Sequence, residues 1–319
     1  MNYIEVIKAI ESDLLVDTIK KELNKYIEEE SGLPKRQKEI LGNSDFYLIK
    51  KDILYYFLLT SSQEIRKKYL NIDDSTFFQF MIAVLLYRRY ILTFDGVIDS
   101  QDSCPKKINN LQTLLPFFIC SQEGIRILSN LFSNNKGFWT FWSDRKNELI
   151  NSYLSEFCSK DNFTDTDYEK LVDHKTSLEK IVFHGLFILS KKENNEFLEN
   201  LFNASKYFYV GYQIMEDVTD FEEDYNNGQF NIMIYSIKKH LQNKLVDPEK
   251  IDLRQLKTYL YTERVVLELL DEALKYLEKS KQAVRKYSLE QWNFKVDIMC
   301  RENYRTQEVI KKYLNQHSQ

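Results

Sequence analysis

The sequence predicts an all-α protein with more than one layer of helices packed around a central set. Three observations carry that prediction. Only 8 Gly and 4 Pro occur in 319 residues, so helices can run long without interruption. Apolar residues recur with a helical period through nearly the whole chain, and no stretch alternates convincingly with period two. One expected helix, 75–99, is apolar nearly all round and so should be central and buried, and another, 195–225, carries the apolar segment YFYVGYQIM.

The periodicity places helices near 4–30, 45–69, 75–99, 121–132, 137–158, 166–190, 195–225, 230–243, 252–286 and 288–315. Asp74-Ser75 signals the start of 75–99, and the polar run Thr164-Asp165-Thr166 that of 166–190, because short oxygen side chains accept from the free N–H groups of a first turn. The four prolines (Pro34, Pro105, Pro116, Pro248) are read as falling between periodic segments. The connections at 100–110 and 226–229 are polar and short, and no linker, repeat or low-complexity tract appears, so 1–319 reads as one domain.

Bulk composition excludes several functions. The 44 basic and 48 acidic residues are mixed along the chain, with a net charge of −4, so nothing favours nucleic acid or an anionic membrane surface. The longest apolar run, MIAVLLY at 81–87, is far short of a membrane span. Cys104, Cys120, Cys158 and Cys300 form no CxxC or Cys/His cluster, which argues against zinc and disulfides and favours a reducing, cytoplasmic setting. The first residues, MNYIEVIKAIESDLL, are acidic and amphipathic, unlike a signal peptide. Tyr and Phe each number 21; a base composition rich in A and T explains that as readily as a pocket for a greasy substrate.

The two apolar helices share one design: an apolar stretch that runs into acids. The first ends with Asp95 and Asp99. In the second, YFYVGYQIM is followed by Glu216, Asp217, Asp220 and Asp224. A helix turns about 100° per residue, so residues four apart share a face. Glu216, Asp220 and Asp224 therefore form one line, and like charges so placed repel. Mg²⁺ relieves such a line, since it binds one or two carboxylates and fills its shell with water and substrate phosphate.

At this point the residues resemble the trans-prenyl diphosphate synthases and class I terpene synthases, which share the isoprenoid synthase fold, a single domain of antiparallel helices around a central apolar cavity. Asp95-Gly96-Val97-Ile98-Asp99 is similar to the first motif, DDxxD, with glycine for the second acid. Gln213, Glu216, Asp217, Asp220 and Asp224 match the second motif, Gly211 the glycine before it, and Lys175-Thr176 the pair between the motifs. The resemblance spans roughly residues 75–240. It implies three Mg²⁺ ions, held by Asp95 and Asp99 on one side and by Glu216, Asp220 and Asp224, with Asp217 in the same set, on the other. It implies that Asp95, Lys175 and Gln213 are catalytic, and that Lys175 and Gln213 meet the diphosphate of a prenyl substrate. Arg88, two turns before Asp95, and Arg301 and Tyr304 in the C-terminal RENYR are further candidates for the diphosphate; a helix–helix bond for Arg88 and a solvated face for the others are the plainer readings. Family members are often homodimers, so a homodimer is the expected assembly.

Chain-elongating members also carry an acceptor diphosphate site, from a G-K-x-x-R-P segment and an Arg-Arg pair after the first motif. Here KYLNIDDS precedes the first motif helix, SQDSCPKKINN follows Asp99, and Gly228-Gln229-Phe230-Asn231 stands where a Lys usually follows the second motif. Ionising a single prenyl diphosphate needs only the metal site. The expectation is therefore a terpene-synthase-like lyase of isoprenoid biosynthesis that releases pyrophosphate and cyclises the cation or quenches it with water. The alternatives are a prenyltransferase and a non-catalytic partner subunit. His174 and His184, and the aromatics Phe138, Trp139, Phe141 and Trp142, are expected to be structural.

Overall fold

The computed structural model describes residues 13–41, 53–99, 111–158, 164–247 and 251–317. Among them are 13 α-helices and no strand. They are α1 (Leu14–Lys25), α2 (Lys35–Leu41), α3 (Ile53–Tyr69), α4 (Asp74–Asp99), α5 (Leu111–Phe132), α6 (Lys136–Cys158), α7 (Asp165–Lys175), α8 (Ser177–Ser190), α9 (Asn195–Asn227), α10 (Ile232–Asn243), α11 (Leu253–Thr262), α12 (Val265–Val284) and α13 (Glu290–His317). A π-helical turn, Tyr26–Glu30, extends α1. The chain forms two compact units, one from Tyr3–Ser143 with Ile181–Asn194, the other from Asp144–Lys180 with Asn195–Gln319.

The periodic reading finds most helices within a few residues and misplaces four features. The helix expected over 166–190 is two, α7 and α8, because Thr176 leaves helical geometry (φ −79°, ψ 5°). The helix expected over 252–286 is also two, because Arg264 adopts φ 60°. Pro116 lies inside α5, which starts ten residues before the expected 121; a proline there removes a single i→i−4 bond, a cost that tertiary packing overrides. The cap of α4 is Asp73 rather than Asp74, accepting from Thr76 N at 2.9 Å. The helix α2 is additional. The expected starts of the helices at 4 and 45, and Pro105, Lys106-Lys107 and Pro248, lie outside the described residues.

In the first unit α4 is the core. Phe77, Phe80, Met81, Ala83, Leu85 and Leu86 are fully buried, as the near-continuous apolar run requires. Tyr55 of α3 donates to the Met81 carbonyl at 3.1 Å. Close approach is bought by glycine: a Cβ on Gly124 of α5 would sit 3.0 Å from the Ala83 carbonyl, and one on Gly185 of α8 would sit 2.5 Å from the Phe80 ring. Phe132 and Phe138 stack at 3.7 Å, Trp142 is buried, and Phe141 stacks on His184 at 4.1 Å, so these aromatics and this histidine are packing groups. Burial depresses the basicity of His184 and is the first cause for His174 as well.

In the second unit α9 lies along α12. A Cβ on Gly211 would sit 2.8 Å from the Ala273 carbonyl and 2.9 Å from Leu277 Cγ, so the glycine lets the two backbones meet just before the acids begin. Ser280 donates to the Ala204 carbonyl at 2.7 Å. On the far side of α12, Asn303 of α13 donates to the Leu270 carbonyl at 2.9 Å. Tyr168, Leu171 and Val172 of α7 pack with Val210, Ile214 and Ile232. α10, α11 and the start of α12 close over Phe221.

Candidate active site

The acids of α9 divide by face. Glu216, Asp220 and Asp224 follow one line and are half-buried or exposed. Asp217, one position round from Glu216, turns inward and is 5% exposed. A carboxylate so placed must be hydrogen-bonded. Gln213 Nε2 donates to its Oδ1 at 2.9 Å, while Ile232 N at 2.8 Å and the Tyr168 hydroxyl at 3.4 Å reach its Oδ2. Ile232 is the first residue of α10, so Asp217 takes a free N–H at a helix N-terminus, where negative charge is favoured.

Asn231 completes the joint. Its Oδ1 caps α10, accepting from Met233 N at 2.8 Å and Ile234 N at 3.3 Å. Its Nδ2 donates to the Asp217 carbonyl at 2.7 Å and to Asp224 Oδ2 at 2.8 Å. One buried amide therefore starts α10, ties it to α9 and orients one member of the acidic line. The sequence signal for this was an Asn before the apolar run IMIYSI, a helix-start pattern; its reach back to the acids could not be read locally.

The acids are costly as they stand. Burial drives Asp217 up to about 7, against the pull of Gln213, the Ile232 N–H and Lys175 and with a further push from Asp224. Burial, then Glu223, raises Asp220. Burial, opposed by Asn231 and Lys175 and reinforced by Asp220 and Glu223, raises Asp224. Lys175 is thus close enough to act on both Asp217 and Asp224. It is the last residue of α7, which a capping box on Thr164 and Asp167 starts and which the break at Thr176 ends.

The donor set fits a hard divalent cation, since it is all oxygen and its charges repel one another. Among the described residues no three His, Cys, Asp or Glu groups already converge into a metal cage. Both carboxylate oxygens of Asp217 accept hydrogen bonds from protein donors.

The other candidates are placed as follows. Asp95 and Asp99 lie in the last two turns of α4, and their side chains fall outside the described ones. Arg88 is half-buried on α4. In α13, Arg301 donates to the Asp297 carbonyl at 3.2 Å, Arg305 pairs with Glu302 at 2.6 Å and Tyr304 is 56% exposed. None of these three contacts the acids of α9 among the described residues. Sequence reasoning missed Asn231 and Tyr168 as partners of the acids, and also a buried pair, Glu179 and Lys295.

No protein-family model matches the sequence, and no curated protein matches it. Solved structures do match. A decaprenyl diphosphate synthase from Rhodobacter capsulatus aligns with a TM-score of 0.69 and 11% identity, over 94% of this chain and 98% of that one. A heptaprenyl diphosphate synthase from Staphylococcus aureus aligns with a TM-score of 0.67 and 16% identity, over 91% and 97%. A polyprenyl synthase from Caulobacter crescentus, crystallised with calcium and isoprenyl diphosphate, aligns with a TM-score of 0.65 and 11% identity, over 92% and 94%. The chain has the all-α isoprenoid synthase fold. Among the described residues no helix is long and apolar enough to cross a membrane.

Proposed function

We propose that residues 1–319 act as one catalytic domain, an Mg²⁺-dependent enzyme that ionises a prenyl diphosphate and transfers the prenyl group. The observation that carries this is the arrangement in the second unit: an acidic line on α9, locked to α10 by Asn231, within electrostatic reach of Lys175 at the end of α7. Glu216, Asp220 and Asp224 would hold the metal, and Asp95 and Asp99 would also be metal ligands by resemblance of their motif alone. Bound Mg²⁺ would neutralise the diphosphate leaving group as the C–O bond breaks. Lys175 would add a charged hydrogen bond to that diphosphate. Gln213 and Asp217 would keep the line in register.

The comparisons favour transfer over the lyase expected from the sequence, because the solved structures named above are prenyl diphosphate synthases. A second reading, the terpene-synthase-like one, keeps support from a specific observation: the basic segments that bind an acceptor diphosphate are missing from the sequence. Incubation with geranyl, farnesyl or geranylgeranyl diphosphate and Mg²⁺ separates the two. A longer prenyl diphosphate formed once isopentenyl diphosphate is added supports transfer; a hydrocarbon or alcohol without any acceptor supports the second reading. In either case Asp220→Ala with Asp224→Ala, or Asp95→Ala, should cut pyrophosphate release by at least about a thousandfold. Full activity in those variants sinks the proposal.

A further inference from the structure

Thr176 interrupts what would otherwise be one helix from Asp165 to Ser190, and Lys175 sits at the interruption. The break is held by side chains. Thr176 Oγ1 donates to the Asp173 carbonyl at 2.7 Å and Ser177 Oγ to the His174 carbonyl at 2.5 Å. Lys180, 4% exposed, reaches back across the break to the Asp173 carboxylate at 2.6 Å and to its carbonyl at 3.3 Å.

One residue before Lys180, Glu179 turns the other way. It is 3% exposed and pairs at 3.2 Å with Lys295 of α13, which is 1% exposed. Glu179 Oε2 has no hydrogen-bond partner among the described residues, so its charge is answered by Lys295 through the other oxygen. Lys295 is fixed in turn. Its ammonium lies 3.4 Å from the centroid of the Trp292 ring and 4.3 Å from that of Phe208 on α9. Trp292 Nε1 donates to Ser280 Oγ at 3.1 Å, and Ser280 donates to the Ala204 carbonyl. A single buried cation thus joins the start of α8, the N-terminal half of α13 and the same helix that carries the acids.

Such a pair is weak evidence for stability, since removing two charges from water offsets most of their attraction. Its place is the informative part. It ties the start of α8, four residues after Lys175, to α13 and, through the Phe208 ring, to α9. We infer that Glu179 and Lys295 are positioning residues, which set the reach of Lys175 to the diphosphate without touching it. This rests on the proposed function above, in which Lys175 is a diphosphate ligand.

The test is the affinity of the full chain for inorganic pyrophosphate in the presence of Mg²⁺, measured by calorimetry. Lys175→Ala should weaken it about tenfold, the worth of one charged hydrogen bond. Glu179→Leu combined with Lys295→Met replaces the pair by apolar groups of similar size and should keep the melting temperature within a few degrees, yet weaken pyrophosphate by a similar factor. Placed on top of Lys175→Ala, the apolar pair should then cost nothing more, because both changes remove one interaction. Unchanged affinity in the apolar-pair variant, or a loss that multiplies with that of Lys175→Ala, overturns the inference. If Lys175→Ala alone leaves affinity unchanged, it is the diphosphate role of Lys175 that fails, and this shows whatever the pair does. Should the apolar pair not fold, Glu179→Asp, which keeps both charges and shortens the arm, carries the same comparison with a smaller expected loss.

Discussion

Two helical runs are broken at points in the second unit, and they are broken differently. At Thr176 the backbone stays in the right-handed half of conformational space, and buried side chains take up the loosened carbonyls: Thr176 and Ser177 hydroxyls, the Lys180 ammonium, and the Glu179–Lys295 pair alongside. At Glu263–Arg264 the work is done by backbone strain at the surface. Arg264 is exposed, adopts φ 60° and has no side-chain cap for α12. Its neighbour Glu263 bonds Lys244 and, at 3.2 Å, His240, which together hold that carboxyl below its usual range. A left-handed non-glycine residue costs about 1–3 kcal/mol and places nothing in particular. Buried charges cost more and fix directions. The difference teaches that the first break, beside Lys175, is held by buried, directional side-chain contacts, while the second is a surface turn held by the backbone.

That contrast can be broken in three ways, here in falling order of effect. Lys295→Met alone leaves Glu179 charged and buried without its partner, so urea unfolding should show a loss of about 3–5 kcal/mol; a loss under about 1 kcal/mol would mean the pair is not desolvated as described. Thr176→Val keeps the shape and removes the bond to the Asp173 carbonyl, for an expected loss of about 1 kcal/mol in the same measurement. Arg264→Gly relieves the strained φ but frees the unfolded chain, and the balance should be a small gain, about 0.5 kcal/mol, in thermal unfolding. If Arg264→Gly proved as damaging as Lys295→Met, the two breaks would not differ in kind.

The acidic line was legible because it is a local pattern: Glu216, Asp220 and Asp224 share a face by helical arithmetic alone. The inward turn of Asp217 follows from the same arithmetic, but its partners do not, since Ile232 and Tyr168 are 15 and 49 residues away along the chain. Lys175 stood out only through resemblance to a known family, as nothing in its neighbours marks it. The two missed breaks share a cause. Apolar periodicity continues through Thr176 and through Glu263–Arg264, so a reading by period joins what a single residue's φ and ψ separate.

By itself, then, the sequence determined that the described residues are helical with no strand, that α4 is buried, and that three carboxylates line up on α9, because these follow from spacing along one helix. Only the tertiary structure decided how Asp217 is locked inward, that Asn231 holds α9 to α10, and that a lysine at 295 answers a glutamate at 179. The physical reason is range: periodicity and capping act within a few turns, whereas the partners that orient buried charge are set by helices meeting over 116 residues of chain.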